Sequence, residues 1–432
     1  MRRRSFLKNV GGVAATVAGA QIAQERTPAE PGATAAAECP AGPFAARAER
    51  RGPLSIKVGP IRVVMRGPMF PGLARFADGS IMVFAQAVEE GGPLTAIRSE
   101  DGGDSWKACD AGVDGLGLNT LQLNGGPALS THYDTKPIDG EPGWRSTRRW
   151  ESGDSWRTLH GPLEDGRLFL PPEEFDAGEW QWFHGNTLEM PDGHLLAAMQ
   201  GIYAPSRFRT FIAKSTDRGR TWRFLAHVAS LETLDDPERA ATRAGWCLWG
   251  PCEPSIAHLG GGALICVMRL VNDDHQPLLA EPRETYRDLS YTVPGDGIHP
   301  GTLPADRYYE PGPSSAPIVL SFSHDAGATW TAARPMRQAR GCFPRLAWSS
   351  GVLALTYGGL AYPRWGNCIG FSTDGGKTWC DEINFGPFLT TGYTDVLAVG
   401  PKRFLVVFDC APPQPWKNHA AHWIGAVDIE VG

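Results

Sequence analysis

Ser372-Thr373-Asp374-Gly375-Gly376-Lys377-Thr378-Trp379 is one copy of an eight-residue pattern: Ser, any residue, Asp, any, Gly, any, Thr or Ser, Trp. The same pattern returns at Ser99 to Trp106, Ser215 to Trp222 and Ser323 to Trp330, and a worn copy ends at Asp154-Ser155-Trp156. The residue types explain the recurrence. An Asp carboxylate accepts backbone N–H groups and closes a turn. The Gly supplies a backbone conformation that other residues reach only at a cost. The Trp packs into an apolar layer between sheets. The pattern therefore predicts a structural staple for a hairpin, and its Asp residues are poor candidates for catalysis.

A second repeat is interleaved with the first. Apolar strands are joined by turns at Asp78-Gly79, Gly125-Gly126, Asp192-Gly193, Gly260-Gly261-Gly262, Ser350-Gly351 and Gly400-Pro401. The strands that follow, such as Ser80-Ile81-Met82-Val83-Phe84 and Phe404-Leu405-Val406-Val407-Phe408, are nearly continuous apolar runs, as expected when both faces of a sheet are covered. A repeated β-unit lets a chain of this length build one core rather than two or three. The early strand from Leu54 to Met65 is expected to complete the last unit, near Trp423 to Val427, and hide its edges. The long segment from about Asn272 to Pro313 reads as a functional loop beside the centre of the fold.

Arg3-Arg4-Ser5-Phe6-Leu7-Lys8, followed by a weakly apolar stretch and the small-residue site Ala18-Gly19-Ala20, looks like a twin-arginine export signal. This implies the twin-arginine export machinery as a partner and a periplasmic or secreted destination. The stretch is too short and too rich in Ala and Gly for a stable membrane span. The expected organisation is a signal peptide over residues 1–23, a disordered linker over 24–51 and one β-domain over 52–432. A net charge of −6 with mixed signs leaves no basic footprint for nucleic acid. The 9 cysteines have no metal-finger spacing, and Cys247 with Cys252 is the pair most worth testing as a disulfide. No nucleotide-binding or haem motif appears, so no cofactor is expected, although loop carboxylates leave a structural calcium open.

The four full repeats are Asp boxes, and with the interleaved hairpins they make the chain resemble the sialidase (neuraminidase) superfamily. The resemblance implies an all-β, six-bladed β-propeller of four-stranded antiparallel blades. It also implies a carbohydrate or glycoconjugate substrate and a retaining exo-glycosidase with a Tyr nucleophile. Cys252-Glu253-Pro254-Ser255 and the following Val267-Met268-Arg269 resemble the segment carrying a catalytic Glu and a substrate-clamping Arg. Gly392-Tyr393-Thr394, followed by a strand ending at Asp409, resembles the segment of the nucleophilic Tyr. On this reading Tyr393 attacks and Glu253 takes its proton. A neutral phenol suits a sugar whose own carboxylate would repel a carboxylate nucleophile. Arg269 binds the substrate carboxylate, and Arg345 or Arg364 supplies a second arm.

The chain also departs from the family. Where sialidases carry Arg-Ile-Pro, this sequence has Met69-Phe70-Pro71, so the first clamping Arg is missing. Its family partner, an acidic residue near the chain end, corresponds to Asp409. The proton donor is expected among Glu89, Glu90 and Asp134. His184, in Phe183-His184-Gly185-Asn186, is a further candidate for binding a sugar hydroxyl, and Trp180-Gln181-Trp182 for stacking on a sugar face. Three activities fit: hydrolysis of a terminal sialic acid or related acidic sugar, glycan binding or assembly without turnover, and β-elimination on a uronate polymer.

Overall fold

In the computed structural model, the described residues are 44–86, 94–109, 119–158, 164–176, 178–203, 207–235, 248–272, 286–293, 297–304, 317–361, 364–386, 390, 392–410 and 422–432. The signal peptide, Cys39 and Cys247 lie outside them. The fold is nearly all β. A four-stranded antiparallel sheet holds Met69–Arg75, Ile81–Gln86, Leu94–Ser99 and Lys107–Cys109. A ten-stranded sheet follows, made of two antiparallel halves. The halves meet where Glu164–Phe169 runs parallel to Thr221–Ala229. Two more four-stranded sheets begin at Leu248–Gly260 and Cys342–Ser349. The last sheet joins Thr394–Gly400, Arg403–Cys410 and Trp423–Val431 to the beginning of the chain.

Leu54–Val58 and Arg62–Arg66 both pair antiparallel with Trp423–Val431, so chain start and chain end share one sheet. The region expected as one strand is therefore two. The linker expected over 24–51 also ends sooner. Arg47–Arg51 forms a strand on Leu54–Val58, and Phe44 is buried against Trp423 at 5.7 Å between centroids. Alternation explains this: Leu54, Ile56 and Val58 point inward, so the strand is anchored and carries its neighbour. Within the segment expected as a loop, Tyr286–Val293 and Gly297–Pro304 pair as a two-stranded hairpin. Cys252 is a free thiol.

Apolar clusters link each sheet to the next. Leu405 and Ile424 of the last sheet pack with Val83 of the first, and Phe84 of the first packs with Trp150 of the second group. Leu168 meets Phe211 and Trp222 across the ten-stranded sheet. Leu196 then meets Cys266, Val267 meets Leu355, and Phe371 meets Phe404 of the last sheet.

The eight-residue repeats close the same turn each time. Ser372 donates its hydroxyl to Asp374 Oδ1 (2.8 Å) and accepts the N–H of Gly376 (2.8 Å). Thr378 donates its N–H and hydroxyl to the two Asp374 oxygens at 2.9 and 2.6 Å. Trp379 donates its indole N–H to Gly376 O at 3.0 Å. Gly376 has φ +89°, and a Cβ there would lie 2.4 Å from Ile265 Cδ1 of the preceding sheet, so the turn both bends and tucks. In the equivalent turn, Thr329 and Ser323 hold the Asp325 carboxyl down at about 2. The worn copy is real but its register differs from the sequence reading. Ser152 and Asp154 take the Ser and Asp places, Thr158 the Thr place, and Trp156 stands where Gly is expected, at φ +60°.

Ser323 is buried, and its hydroxyl is the acceptor for the Asp325 and Gly327 N–H groups. Ser323→Ala is expected to destabilise the protein by about 1–3 kcal/mol through the stranded donors. Adding Ser99→Ala in another sheet should roughly double the loss. Denaturant midpoints of the single and double variants check this.

Candidate functional site

Three sheets start on the same local device: Met69-Phe70-Pro71, Cys252-Glu253-Pro254 and Cys342-Phe343-Pro344. The middle residues have φ of +58°, +48° and +49°. Pairing with the second strand shifts register at each of the three places. Left-handed backbone in a non-glycine residue costs about 1–3 kcal/mol, and a following proline disfavours the helical regions further. The proline lacks an N–H, so the break in the ladder strands no donor there. Buried Met69, Cys252 and Cys342 anchor the preceding position. Tyr393 directly precedes the strand Thr394–Gly400, and His184 lies between Gly178–Trp182 and Thr187–Glu189.

Ring contacts join these positions. Tyr393 lies against Phe70 (4.2 Å, 71°) and Phe343 (4.4 Å, 38°), and His184 lies against Phe343 (5.6 Å). Two close backbone approaches fix the arrangement. A Cβ on Gly358 would lie 2.1 Å from Gly392 Cα, next to Tyr393. A Cβ on Gly185, next to His184, would lie 2.7 Å from Pro254 O, next to Glu253.

Glu253 is buried, and each of its carboxylate oxygens accepts a hydrogen bond. Arg269 Nη1 donates to its Oε1 at 3.0 Å, and the Phe343 N–H donates to its Oε2 at 3.1 Å. Its own N–H donates to Gln200 Oε1 at 2.6 Å. Arg345, also buried, donates from Nε to Asp395 Oδ1 at 3.2 Å, and Asp395 Oδ2 accepts the Leu73 N–H at 2.8 Å. Asp409 accepts the Thr390 hydroxyl at 2.7 Å and the Phe70 N–H at 3.5 Å.

These contacts set the protonation states. Burial alone would raise the Glu253 pKa, but Arg269, His184 and the Phe343 N–H together hold it below the ordinary value. Burial pushes the Tyr393 phenol well up, and the Glu253 charge adds to it against Arg269. Burial lowers His184 against the opposing pull of Glu253 and Gln200. At neutral pH the site holds a carboxylate, a neutral phenol and a neutral imidazole.

Asp134 lies to one side, bridged by backbone to Trp182. Burial raises its pKa, against Lys136, Arg148 and a hydrogen bond from Trp182. Its neighbour Tyr133 stacks on Trp182 (5.9 Å, 22°) and meets His184 edge-on (5.0 Å, 87°). Of the residues expected from sequence, Tyr393, Glu253, Arg269 and His184 come together, Arg345 and Asp409 stand beside them, and Asp134 joins through Tyr133. Glu89 and Glu90 lie outside the described residues. Arg364 begins the strand Arg364–Ser372, and its side chain is likewise outside the description. Phe70, Phe343, Gln200 and Asp395 went unnoticed in the sequence, although the thrice-repeated Met/Cys-X-Pro pattern marks the first two. Among the described residues no group of three or more His, Cys, Asp or Glu side chains is placed to hold a metal ion.

No protein-family model and no curated protein matches the chain. Solved structures do. A protein of unknown function from Dyadobacter fermentans DSM 18053 aligns with TM-score 0.58 at 16% identity, over 87% of this chain and 99% of its own. Hadza microbial sialidase Hz136 aligns with TM-score 0.52 at 17% identity, over 84% of this chain and 65% of its own. The chain thus spans less than two thirds of that sialidase. At these identities the likeness establishes a sialidase-like fold and nothing of activity.

The buried ion pair makes its own prediction. Arg269→Met is expected to cost about 3–5 kcal/mol at neutral pH, because Glu253 is left charged and uncompensated. In the wild type the depressed Glu253 pKa contributes stability that is present above its ordinary value, and that is lost as pH falls through the folded value. In the variant burial dominates, the folded pKa rises, and protonation relieves the penalty. The stability gap should therefore narrow from neutral pH toward about pH 4, as read by urea unfolding at each pH.

Proposed function

We propose that the chain is a retaining glycoside hydrolase of the sialidase type, folded as a closed six-bladed β-propeller of four-stranded blades, that removes a terminal sialic acid or related acidic sugar. One observation carries the reading. Tyr393 lies against Phe343, whose N–H is held by the ionised carboxylate of Glu253. Closure is supported by the sheet shared between chain start and chain end and by the apolar clusters that pass from sheet to sheet. The repeated turns are the Asp boxes of such blades. The twin-arginine pattern at the N-terminus would deliver the folded enzyme across the membrane.

In the reaction the Tyr393 oxygen attacks the anomeric carbon while its proton passes to Glu253. The bond to the aglycone breaks, and the leaving oxygen takes a proton from Asp134. Water then cleaves the glycosyl–tyrosine bond, giving one proton to Asp134 and keeping the other on the new sugar hydroxyl, while Glu253 returns to Tyr393 the proton it had taken from it. The protonation states suit these roles. Glu253 is free to accept, Tyr393 keeps its proton until attack, and the raised pKa of Asp134 favours its donor form. Arg269 stabilises the Glu253 carboxylate and faces the substrate.

A second reading is favoured by one observation. Met69 replaces the first clamping Arg, and Arg269 and Arg345 both already hold buried protein carboxylates. This balance suits a terminal sugar without a carboxylate, handled by the same Tyr393 and Glu253.

A panel of fluorogenic aryl glycosides, comprising a sialoside, a uronide and neutral hexosides, tests both. Turnover of one of them with retention, followed by NMR of the first-formed anomer, is expected. Tyr393→Phe should lower kcat by at least about a thousandfold. Undiminished turnover in that variant would remove the mechanism. Asp134→Asn should cost about 10²–10⁴-fold on a sugar leaving group but far less on an acidic phenol, which needs no proton to depart. Equal losses on both leaving groups would exclude Asp134 as the donor.

A further inference from the structure

Trp180-Gln181-Trp182 lies in the strand Gly178–Trp182 at the margin of its sheet. Side chains alternate along a strand, so the two indoles share one face while Gln181 is buried on the other. Among the described residues Trp180 is the one large hydrophobic side chain that is exposed, at 39%. Its ring stacks on Trp182 (6.0 Å, 16°), and Trp182 stacks in turn on Tyr133. Beyond Tyr133 the contacts continue through His184 and Phe343 to Tyr393. A track of rings thus leads from solvent to the proposed nucleophile.

Two polar atoms beside the track are buried without a hydrogen-bond partner: Asp134 Oδ1 and His184 Nδ1. Buried polar atoms are nearly always satisfied, so an unsatisfied pair beside stacked rings calls for a ligand that brings hydroxyls. A pyranose has that character, with apolar C–H faces to cover an indole and hydroxyls around the rim. Among Trp180, Trp182, Tyr133, Asp134 and His184 no side chain supplies a positive charge to hold an anionic unit, since burial keeps the His184 imidazole neutral.

We propose that Trp180, Trp182 and Tyr133, with Asp134 and His184, form a subsite for a neutral saccharide unit, the part of a glycan that departs as leaving group. The placement relative to the bond cleaved rests on the hydrolase reading. The binding itself does not.

Lactose and cellobiose are the probes, titrated into the full chain and followed by tryptophan fluorescence and saturation-transfer NMR. Glucuronic acid and N-acetylneuraminic acid serve as anionic comparisons. At least one disaccharide is expected to bind, with Trp180→Ala weakening it by about tenfold and Trp180→Phe by less. Equal affinity of wild type and Trp180→Ala overturns the subsite, and so does the absence of disaccharide binding. Tighter Trp180-dependent binding of either acid overturns the neutral class. Tyr393→Phe keeps its ring and should keep the disaccharide affinity. Trp180-dependent binding in a protein that turns over no glycoside would sink the hydrolase reading alone. Turnover without disaccharide binding would sink the subsite alone.

Discussion

A carboxylate buried at the meeting of two sheets constrains everything around it. Glu253 is buried, so its charge must be met by donors placed in advance. Arg269 comes from the strand Ala263–Asn272 of its own sheet, and the Phe343 N–H comes from the next sheet. The second contact is open to Glu253 only because both residues turn into left-handed backbone ahead of a proline. Satisfying one charge therefore fixes the starts of two sheets relative to each other. It also sets Phe343, and through Phe343 the ring of Tyr393.

Strain and packing share the work of positioning. Each Met/Cys-X-Pro start gives up favourable backbone geometry and part of a ladder, which persists only because the rest of the sheet is well determined. The repeated Ser-Asp turns, between the third and fourth strands of the same sheets, supply that determination. Their hydrogen bonds are local, and their tryptophans fill the seams between sheets. Stability is concentrated in the turns and seams, while distorted backbone is concentrated where the candidate chemistry sits.

The sequence disclosed these two regions unequally. The turns were legible because their physics is short-range: Ser, Asp, Gly and Thr within eight residues complete one hydrogen-bond set. Even there the worn copy misled, because Trp156 fills the Gly place and so imitates the final Trp of the pattern. The Glu253, Arg269 and Tyr393 trio was legible through family resemblance. Its neighbours were not. Phe343 meets Glu253 from 90 positions away, and Asp395 meets Arg345 from 50. No local periodicity encodes either contact. The strand at Arg47–Arg51 was also hidden, since its residues are polar and its pairing depends on Leu54–Val58 being anchored first.

On the proposed reading, Met69 stands where a clamping Arg would meet a substrate carboxylate. Asp409 accepts the Thr390 hydroxyl and a backbone N–H from Phe70. Arg345 in turn is met by Asp395 and lies over the Phe343 ring at 5.4 Å. These pairs settle charge within the protein rather than holding it ready for a substrate anion. Tyr393 is meanwhile packed against the rings of Phe70 and Phe343. A site that trades guanidinium charge for rings gains contact with apolar sugar faces and loses pull on a carboxylate. On the proposed reading the chemistry at Tyr393 and Glu253 can stay the same while the sugar selected shifts, because attack at an anomeric carbon and selection by charge fall to different side chains.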